Sequence, residues 1–254
     1  MMQPERSQPV DDERRRRAFT MASASPTLRL NEWPYDPTIA MLVQADHTID
    51  INSGELVSLI DRASSMGVRK IRTGALRATS AEQVISHGFH VIDELALLKF
   101  DFAAPLPQIR PEVGLRHLRR RHLRNAEAVD LDAFGPKWGQ HREALRETQR
   151  ATLHSRSRRC GDDQAAVIGF ALSGYTNNVG YLQRLAVARR HQGYGIGFSL
   201  SCDALHWMHQ RGCDHALVNT SLQNDNALAL YKQIGFSQLS EQLTIAELDV
   251  STTS

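Results

Sequence analysis

Residues 181–196 read Tyr-Leu-Gln-Arg-Leu-Ala-Val-Ala-Arg-Arg-His-Gln-Gly-Tyr-Gly-Ile. The first seven residues have the composition of a half-buried strand. Strand alternation predicts that Leu185 and Val187 lie on one face, together with Tyr181 and Gln183. It places Leu182, Arg184 and Ala186 on the opposite face. The stretch therefore predicts a strand that runs directly into a glycine turn and then into a helix.

The glycine turn carries Arg190, Gly193 and Gly195 in the spacing R-x-x-G-x-G. Glycines allow close approach of the backbone to a ligand, and the free N–H groups and dipole of a helix N-terminus favour an anion. The helix that follows has a stripe at helical spacing, formed by Phe198, Cys202, Leu205 and His209. A dinucleotide site or a P-loop would need a different glycine spacing or a lysine. The pattern favours a cradle for another phosphate-containing ligand.

The composition limits the classes of function. The chain has 254 residues and a formal net charge of +2, which argues against a dedicated nucleic-acid binder. Three cysteines cannot all pair, and none has C-x-x-C spacing, so neither a disulfide framework nor a zinc site is indicated. The sequence has no apolar run that would span a bilayer and no signal-peptide core. We expect a cytoplasmic protein with no membrane partner, and the oligomeric state stays open.

Three segments follow from the pattern of polar and apolar residues. Residues 1–26 are polar and predict a disordered tail. Residues 27–104 alternate strands and helices and predict a first, small globular part. Pro105 and Pro107 mark a linker, after which residues 105–254 predict the larger domain.

The two globular parts share landmarks at nearly the same distance. Gly67 precedes Gly212 by 145 positions, and the Gly-Phe pair at Gly88 precedes the pair at Gly235 by 147. A helix-strand-helix-strand unit is therefore predicted twice, which indicates a duplication. The first copy has only Ile51–Gly54 where the second has its glycine turn.

Two motifs of the second part resemble the GCN5-related N-acetyltransferase (GNAT) superfamily. One is the strand and glycine turn quoted above. The other is the family pattern N-x-x-A-x-x-L-Y-x-x-x-G-F, which is met between Asn224 and Phe236 at every fixed position. The resemblance covers about the last three-fifths of the chain. It implies an α/β fold with a central mixed, mostly antiparallel sheet flanked by helices. The repeat suggests a tandem arrangement whose first GNAT copy is degenerate and truncated.

The resemblance implies acetyl-CoA as the acyl donor and no metal. The turn would hold the pyrophosphate, and the pantetheine arm would pair with the strand backbone as an added strand. One such site per chain is expected, because the first copy lacks the turn. The residues assigned to it are Leu185, Ala186, Val187, Arg190, His191, Gln192, Gly193, Tyr194, Gly195, Ile196, Asn224, Ala227 and Tyr231.

Acetyl transfer to an amine needs a neutral amine, a stabilised oxyanion and a protonated leaving thiolate. The resemblance assigns the last role to Tyr231 and oxyanion stabilisation to the N–H of Leu185 or Val187. The strand lacks the carboxylate that many relatives use as a base. A water relay, Tyr181, Glu241 and Glu147 therefore all remain open.

The amine acceptor is predicted to bind between residues 126–150 and 174–180. Phe134, Trp138 and Tyr175 are candidate contacts, and Phe134 and Trp138 are equally compatible with a purely packing role. The sequence predicts transfer to a primary amine of a small molecule or protein by direct attack through a tetrahedral intermediate. Two alternatives stay open: a protein N-terminal or other acyl-CoA transferase, and a non-catalytic CoA-binding scaffold.

Overall fold

The structure is a computed structural model that describes residues 27–33, 35–46, 49–110, 112–161 and 166–250. The predicted tail, residues 1–26, lies outside the described residues.

The described residues contain alternating strands and helices. The strands are β1 (Leu28–Trp33), β2 (Asp36–Gln44), β3 (Lys70–Thr73), β4 (His90–Asp101), β5 (Leu115–His117), β6 (His154–Cys160), β7 (Gly169–Thr176), β8 (Val179–Val187), β9 (His215–Ser221) and β10 (Ser237–Asp249). The α-helices are α1 (Ser53–Ser65), α2 (Ala78–Ser86), α3 (Leu123–Trp138), α4 (Arg142–Arg150), α5 (Ile196–Gln210) and α6 (Asp225–Ile234). Short 3₁₀ turns cover Arg120–His122 and Arg189–His191.

Spatial grouping gives two compact units. One contains described residues 27–95 and 242–250, and the other contains residues 96–241. β10 contributes to both, because its last residues pair with β3 from Glu247↔Arg72 to Asp249↔Lys70. Arg72 Nε also donates to Glu247 Oε2 at 2.9 Å within this buried contact. The end of the chain therefore groups with the first unit, whereas the sequence-based boundary near residue 105 remains a prediction.

The first unit has the strand order β1-β2-β3-β10-β4. β1 and β2 pair antiparallel, whereas β2 and β3 pair parallel from Ile39↔Lys70 to Leu42↔Thr73, with α1 as the crossover between them. The core of this unit includes Leu30, Leu56 and Val84. Strand β1, which has six residues, is not predicted from the sequence.

The second unit has the strand order β10-β4-β9-β8-β7-β6-β5. β5, β6, β7 and β8 pair antiparallel in succession, and β8 pairs parallel with β9. One core packs around α5 and includes Leu200 and Met208, and a separate core includes Leu123, Leu145 and Phe170. The predicted α/β fold with a mixed, mostly antiparallel sheet flanked by helices is confirmed.

The stripe predicted on α5 is buried at Cys202 and Leu205, but His209 is exposed, because α5 ends beside it at Gln210. α3 is interrupted by a kink at Gly135, whose φ of 71° and ψ of 177° are not helical. Pro136 follows the kink, and a proline disfavours helical conformation in the residue before it.

The repeated glycines have the same local structure. Gly67, Gly212, Gly88 and Gly235 all have positive φ. In each case the following residue donates its N–H five residues back, as Cys213 does to Met208 at 3.2 Å and Phe236 to Tyr231 at 2.9 Å. These are glycine C-caps that satisfy the last carbonyls of a helix. These caps account for the similar spacing of the glycines in the two parts of the chain. The duplication itself remains a proposal.

We predict that Gly235→Ala lowers the free energy of unfolding by about 1 to 2 kcal/mol, because a side chain in the left-handed region is strained. The φ of Gly235 is 108°, and an added Cβ would lie 3.3 Å from Phe100 Cε2. Gly114→Ala is the control, since it has no heavy atom within 4 Å of its Cβ position. Urea unfolding measures both. Equal midpoints for the two variants would contradict the assignment of this cap.

Candidate active site

The candidate site begins where β8 and β9 separate. Their pairing covers only three positions, from Val179↔His215 to Tyr181↔Leu217. β8 continues to Val187 and β9 to Ser221 beyond that point. From Leu182 onward, β8 is therefore paired on one side only, by β7.

A β-bulge in β8 lies next to this separation. β7 pairs Leu172 with Arg184 but the next residue, Ser173, with Leu182, so Gln183 is the extra residue. Leu182 consequently packs in the same core as Leu185, although strict alternation predicts opposite faces. The prediction was wrong here because a bulge shifts the alternation by one residue. Arg184 and Ala186 lie on the other face, as Ala186 belongs to the core that contains Leu145.

The direction of the β8 backbone follows from one hydrogen bond. Ala188 donates its N–H to Ile168 O at 2.9 Å, so the peptide groups of Ala188 point toward the neighbouring strand. Because successive residues of a strand point to alternate sides, the N–H and C=O of Leu185 and Val187 point away from β7. The Val187 carbonyl accepts from Gln192 Nε2 at 3.0 Å. The backbone groups of Leu185 and Val187 thus face the side from which β9 has diverged.

The glycine turn leaves the N-terminus of α5 without a side-chain cap. Gly193 has a φ of 82°, and the N-cap residue Gly195 has a φ of 78°. The Ser199 N–H donates to Gly195 O at 3.0 Å, so the N–H groups of the preceding first-turn residues have no acceptor within the helix. In α1, by contrast, Asn52 Oδ1 accepts from the Glu55 N–H at 3.0 Å. Of these two helices, therefore, only α5 has first-turn N–H groups that no side chain caps and that an anion can contact.

Positive side chains surround the turn. Arg189 is held to α3, because its N–H and Nε donate to Asp132 Oδ2 at 2.7 Å and Asp132 O at 2.6 Å. Arg190 Nε contacts His191 Nε2 at 3.1 Å on the surface of the turn. The electrostatics of this turn therefore favour an anion.

Arg110 is a further cationic residue at the turn. Its Cζ lies 5.2 Å from the centroid of the Phe198 ring, and its Nη1 would lie 2.8 Å from a Cβ placed on Gly195. Sequence reasoning missed Arg110, because it belongs to the proline-rich segment interpreted as a linker. No local spacing connects it with a turn more than eighty residues later.

α6 carries Tyr231, and Asn224 is its N-cap residue. Asn224 caps the helix, with its Oδ1 accepting from the Ala227 N–H at 3.1 Å. Tyr231 is only 5% exposed and its ring makes an edge contact with Phe236 at 5.5 Å between centroids. Burial raises the pKa of Tyr231, and the positive charge of Arg184 acts in the opposite direction. The phenol therefore stays protonated at neutral pH.

The structure brings two of the three predicted acceptor contacts, Phe134 and Trp138, together around Arg184. Arg184 Cζ lies 3.8 Å from the centroid of the Phe134 ring, and Arg184 Nη2 donates to Trp138 O at 2.8 Å. Tyr175 is not part of this group. It stacks on His154 at 4.5 Å between centroids and packs against the α5 core beside Trp207. The contact predicted between Tyr175 and the acceptor therefore remains a prediction.

The general base remains unassigned. β8 contains no carboxylate. Glu147 is exposed on α4, while Tyr181 and Glu241 are half-buried on β8 and β10. The roles predicted for these residues and for the cradle remain predictions.

The three cysteines are free and buried. Burial raises the pKa of Cys202 to about 12, and it raises the pKa of Cys160 and Cys213 as well. A thiol in this state is a packing group rather than a nucleophile. Among the described side chains, no group of three His, Cys, Asp or Glu residues could hold a metal ion. Within the same residues, no helix has the length and apolarity needed to cross a membrane.

Residues 123–236 match the family model described as Acetyltransferase (GNAT) family. The chain carries a GNAT acetyltransferase domain. The match includes α3, the separated strands, the glycine turn and α6. It confirms for residues 123–236 the GNAT family that the two motifs predict.

The GNAT chain is similar in part to curated relatives. It is 37% identical over 57 residues to N-alpha-acetyltransferase 30 of Homo sapiens, a match that covers 22% of this chain and 16% of the relative. It is 32% identical over 57 residues to N-alpha-acetyltransferase 30 of Schizosaccharomyces pombe, covering 22% of this chain and 38% of that relative. The matched region is thus well under half the length of either relative.

Solved structures share the GNAT fold over most of the chain. A tandem GNAT protein from the clavulanic acid biosynthesis pathway superimposes with a TM-score of 0.62 at 14% identity, covering 89% of this chain and 79% of that one. A GCN5-related N-acetyltransferase from Kribbella flavida gives a TM-score of 0.59 at 14% identity, covering 93% and 97%. At these identities the similarity establishes the fold alone.

We predict that the native thiols resist alkylation at pH 8. With a pKa of about 12, only about one Cys202 side chain in ten thousand is a thiolate at that pH. Iodoacetamide labelling followed by mass spectrometry should leave the native chain unmodified, whereas the urea-unfolded control takes up one label on each of its three cysteines. Rapid labelling of native Cys202 would contradict its burial.

Proposed function

We propose that the GNAT domain transfers an acetyl group from acetyl-CoA to a primary amine by direct attack through a tetrahedral intermediate. One observation carries this proposal. The backbone of Leu185 and Val187 is directed into the gap between β8 and β9, and the same strand leads directly to the uncapped N-terminus of α5. An extended amide chain that ends in a pyrophosphate fits that sequence of donors and acceptors.

The amides and the pyrophosphate of CoA match the hydrogen-bonding groups and charges of these residues. Pantetheine is an extended chain with two amides, so it can pair with the free side of β8 as an additional strand. The first-turn N–H groups of α5 favour the pyrophosphate, with Arg110 and Arg190 supplying positive charge nearby. Asn224 can use its amide N–H groups toward the ligand, because its Oδ1 is already bonded to Ala227.

The reaction needs three contributions from the chain. The N–H of Leu185 or Val187 would donate to the carbonyl oxygen as negative charge develops there. The amine nitrogen forms a bond to the carbonyl carbon and gives up a proton to the general base, for which a water relay, Tyr181, Glu241 and Glu147 are the candidates. The bond from carbon to sulfur then breaks. Tyr231 would give its proton to the leaving sulfur, a role for which its retained proton is suited.

The proposal also concerns which class of amine accepts the acetyl group. The similarity to N-alpha-acetyltransferase 30 favours the α-amino group of a protein N-terminus over a small-molecule amine. The relatives are matched over a short region only, so the small-molecule acceptor stays as the second candidate. The absence of a carboxylate in β8 motivates a third candidate, a scaffold that binds CoA without catalysis. We place the activity in the cytoplasm, in keeping with three unpaired cysteines.

An acceptor panel tests the proposal directly. Heptapeptides with a free α-amino group and each of the twenty first residues are compared with the same peptides blocked by acetylation and with small primary amines. Release of CoA thiol that depends on a free amine supports transfer. A rise in melting temperature with acetyl-CoA, but no thiol release with any amine, would support the scaffold instead.

We predict that Tyr231→Phe lowers kcat about a hundredfold and leaves the Kd for acetyl-CoA within twofold, because it removes a proton donor and little packing. Tyr175→Phe is the matched control, since Tyr175 lies with His154 and Trp207. Because burial raises the pKa of Tyr231, kcat of the unsubstituted enzyme should not fall between pH 7 and pH 9 through loss of this proton. Full activity of Tyr231→Phe would remove Tyr231 from the mechanism.

We predict that Arg110→Ala weakens CoA binding about five- to tenfold at low salt, because it removes a cation from the cradle. Arg124→Ala is the control, an exposed arginine at the start of α3. Isothermal titration calorimetry with CoA measures both variants. An equal Kd for the two would show that Arg110 takes no part in binding.

A further inference from the structure

A buried ion pair joins β8 to α3 beside the bulge. Arg184 Nε donates to Asp130 Oδ2 at 2.7 Å and Arg184 Nη2 donates to Asp130 Oδ1 at 2.6 Å. The Asp130 side chain is fully buried and that of Arg184 is 15% exposed. Arg184 directly precedes Leu185, whose backbone faces the gap between β8 and β9. The ion pair is therefore attached to the strand that carries the candidate site.

The same two side chains hold the segment that follows the kink of α3. Arg184 Nη2 donates to Trp138 O at 2.8 Å, and the Gln140 N–H donates to Asp130 Oδ1 at 2.6 Å. Gly135 departs from helical geometry within this segment. Both backbone anchors lie after the kink, at the C-terminal end of α3, where backbone groups have no partner within the helix.

Phe134 is fixed from the other side of the kink. Its ring lies under the guanidinium of Arg184, with 3.8 Å from Cζ to the ring centroid. A cation at this distance over a ring face is attracted to it. Residues 134–140 are therefore attached to β8 at three points, and all three pass through the Arg184–Asp130 pair.

The charge of Arg184 also acts on the proposed proton donor. The charge of Arg184 lowers the pKa of Tyr231 against the opposing effect of burial. Arg184 and Phe134 lie beside the part of β8 that has no second partner strand. A stability role alone explains this poorly, because a buried ion pair often contributes little compared with apolar residues of similar size.

Asp130 is also a poor candidate for the missing base. Its Oδ1 accepts two hydrogen bonds and its Oδ2 accepts another, all from protein donors. A base must reach the proton that it removes. The geometry gives Asp130 the role of an anchor instead.

We propose that Arg184 and Asp130 are positioning residues that hold residues 134–140 as the wall against which the acceptor amine binds. This proposal rests on the proposed function. The pair fixes where the wall stands relative to the Leu185 backbone and Tyr231. Its loss shifts the wall and weakens acceptor binding, while the acetyl-CoA side of the site keeps its shape.

The test uses Arg184→Lys, which keeps the charge but loses the two-pronged contact, and Asp130→Asn, which keeps the size but loses the charge. With the panel peptide that has the highest kcat/KM, we expect each variant to raise the acceptor KM about tenfold. kcat and the Kd for acetyl-CoA should stay within twofold. Hydrogen exchange of the Gln140 amide should accelerate at least tenfold.

Arg156→Lys is the matched control. Arg156 pairs with Asp203 of α5 at 3.0 Å and lies near Trp207, away from residues 134–140. It should lower stability comparably without changing the acceptor KM. An acceptor KM that moves equally in Arg184→Lys and Arg156→Lys would overturn the positioning role, as would unchanged exchange at Gln140.

The two levels of the proposal fail in different ways. An unsubstituted enzyme with no turnover on any amine means that the proposed function is wrong. An active enzyme in which Arg184→Lys and Asp130→Asn keep the acceptor KM means that only the positioning role is wrong. If Arg184→Lys fails to fold, Asp130→Asn gives the same comparison.

Discussion

The early end of the β8–β9 ladder is the constraint on which the site depends. Backbone N–H and C=O groups in a folded domain need partners, and a central strand normally finds them on both sides. Here pairing ends at Tyr181↔Leu217, and the bulge at Gln183 turns the following residues. Leu185 and Val187 keep one side of their backbone without a strand. The glycine turn follows within six residues of Val187, so a row of strand donors and acceptors continues into a helix N-terminus.

Local signals explain what the sequence predicts well. The strand before the glycine turn, the turn itself, α6 and the glycine C-caps each depend on a few adjacent residues, and each lies where the spacing indicates. The bulge at Gln183 could not be predicted, because register is decided by the partner strand. The contacts of Arg110 with the turn and of Asp130 with Arg184 could not be predicted from local spacing, because they join segments that are far apart in the chain. The packing of Tyr175 beside Trp207 is another contact of this kind, because it joins β7 to α5.

α1 and α5 differ in whether a side chain caps the first helical turn. In α1 the Asn52 side chain satisfies the first turn, and the helix needs nothing further at that end. In α5 the N-cap is Gly195, which has no side chain to do this. A duplicated unit that gained such a side chain would keep its fold and lose its anion site. This difference is consistent with the proposed single acetyl-CoA per chain.

The hydrogen bond from Gln192 Nε2 to the Val187 carbonyl has a consequence for the free protein. An unpaired strand side can pair with any extended chain, including that of another copy, and such edges promote aggregation. The Gln192 amide covers one acceptor of this edge at the end nearest the turn. Only a few residues of β8 are open in this way, too few for a stable intermolecular sheet. The chain therefore limits self-association by keeping its open edge short and partly covered, while a ligand needs only to exchange one weak side-chain contact for its own.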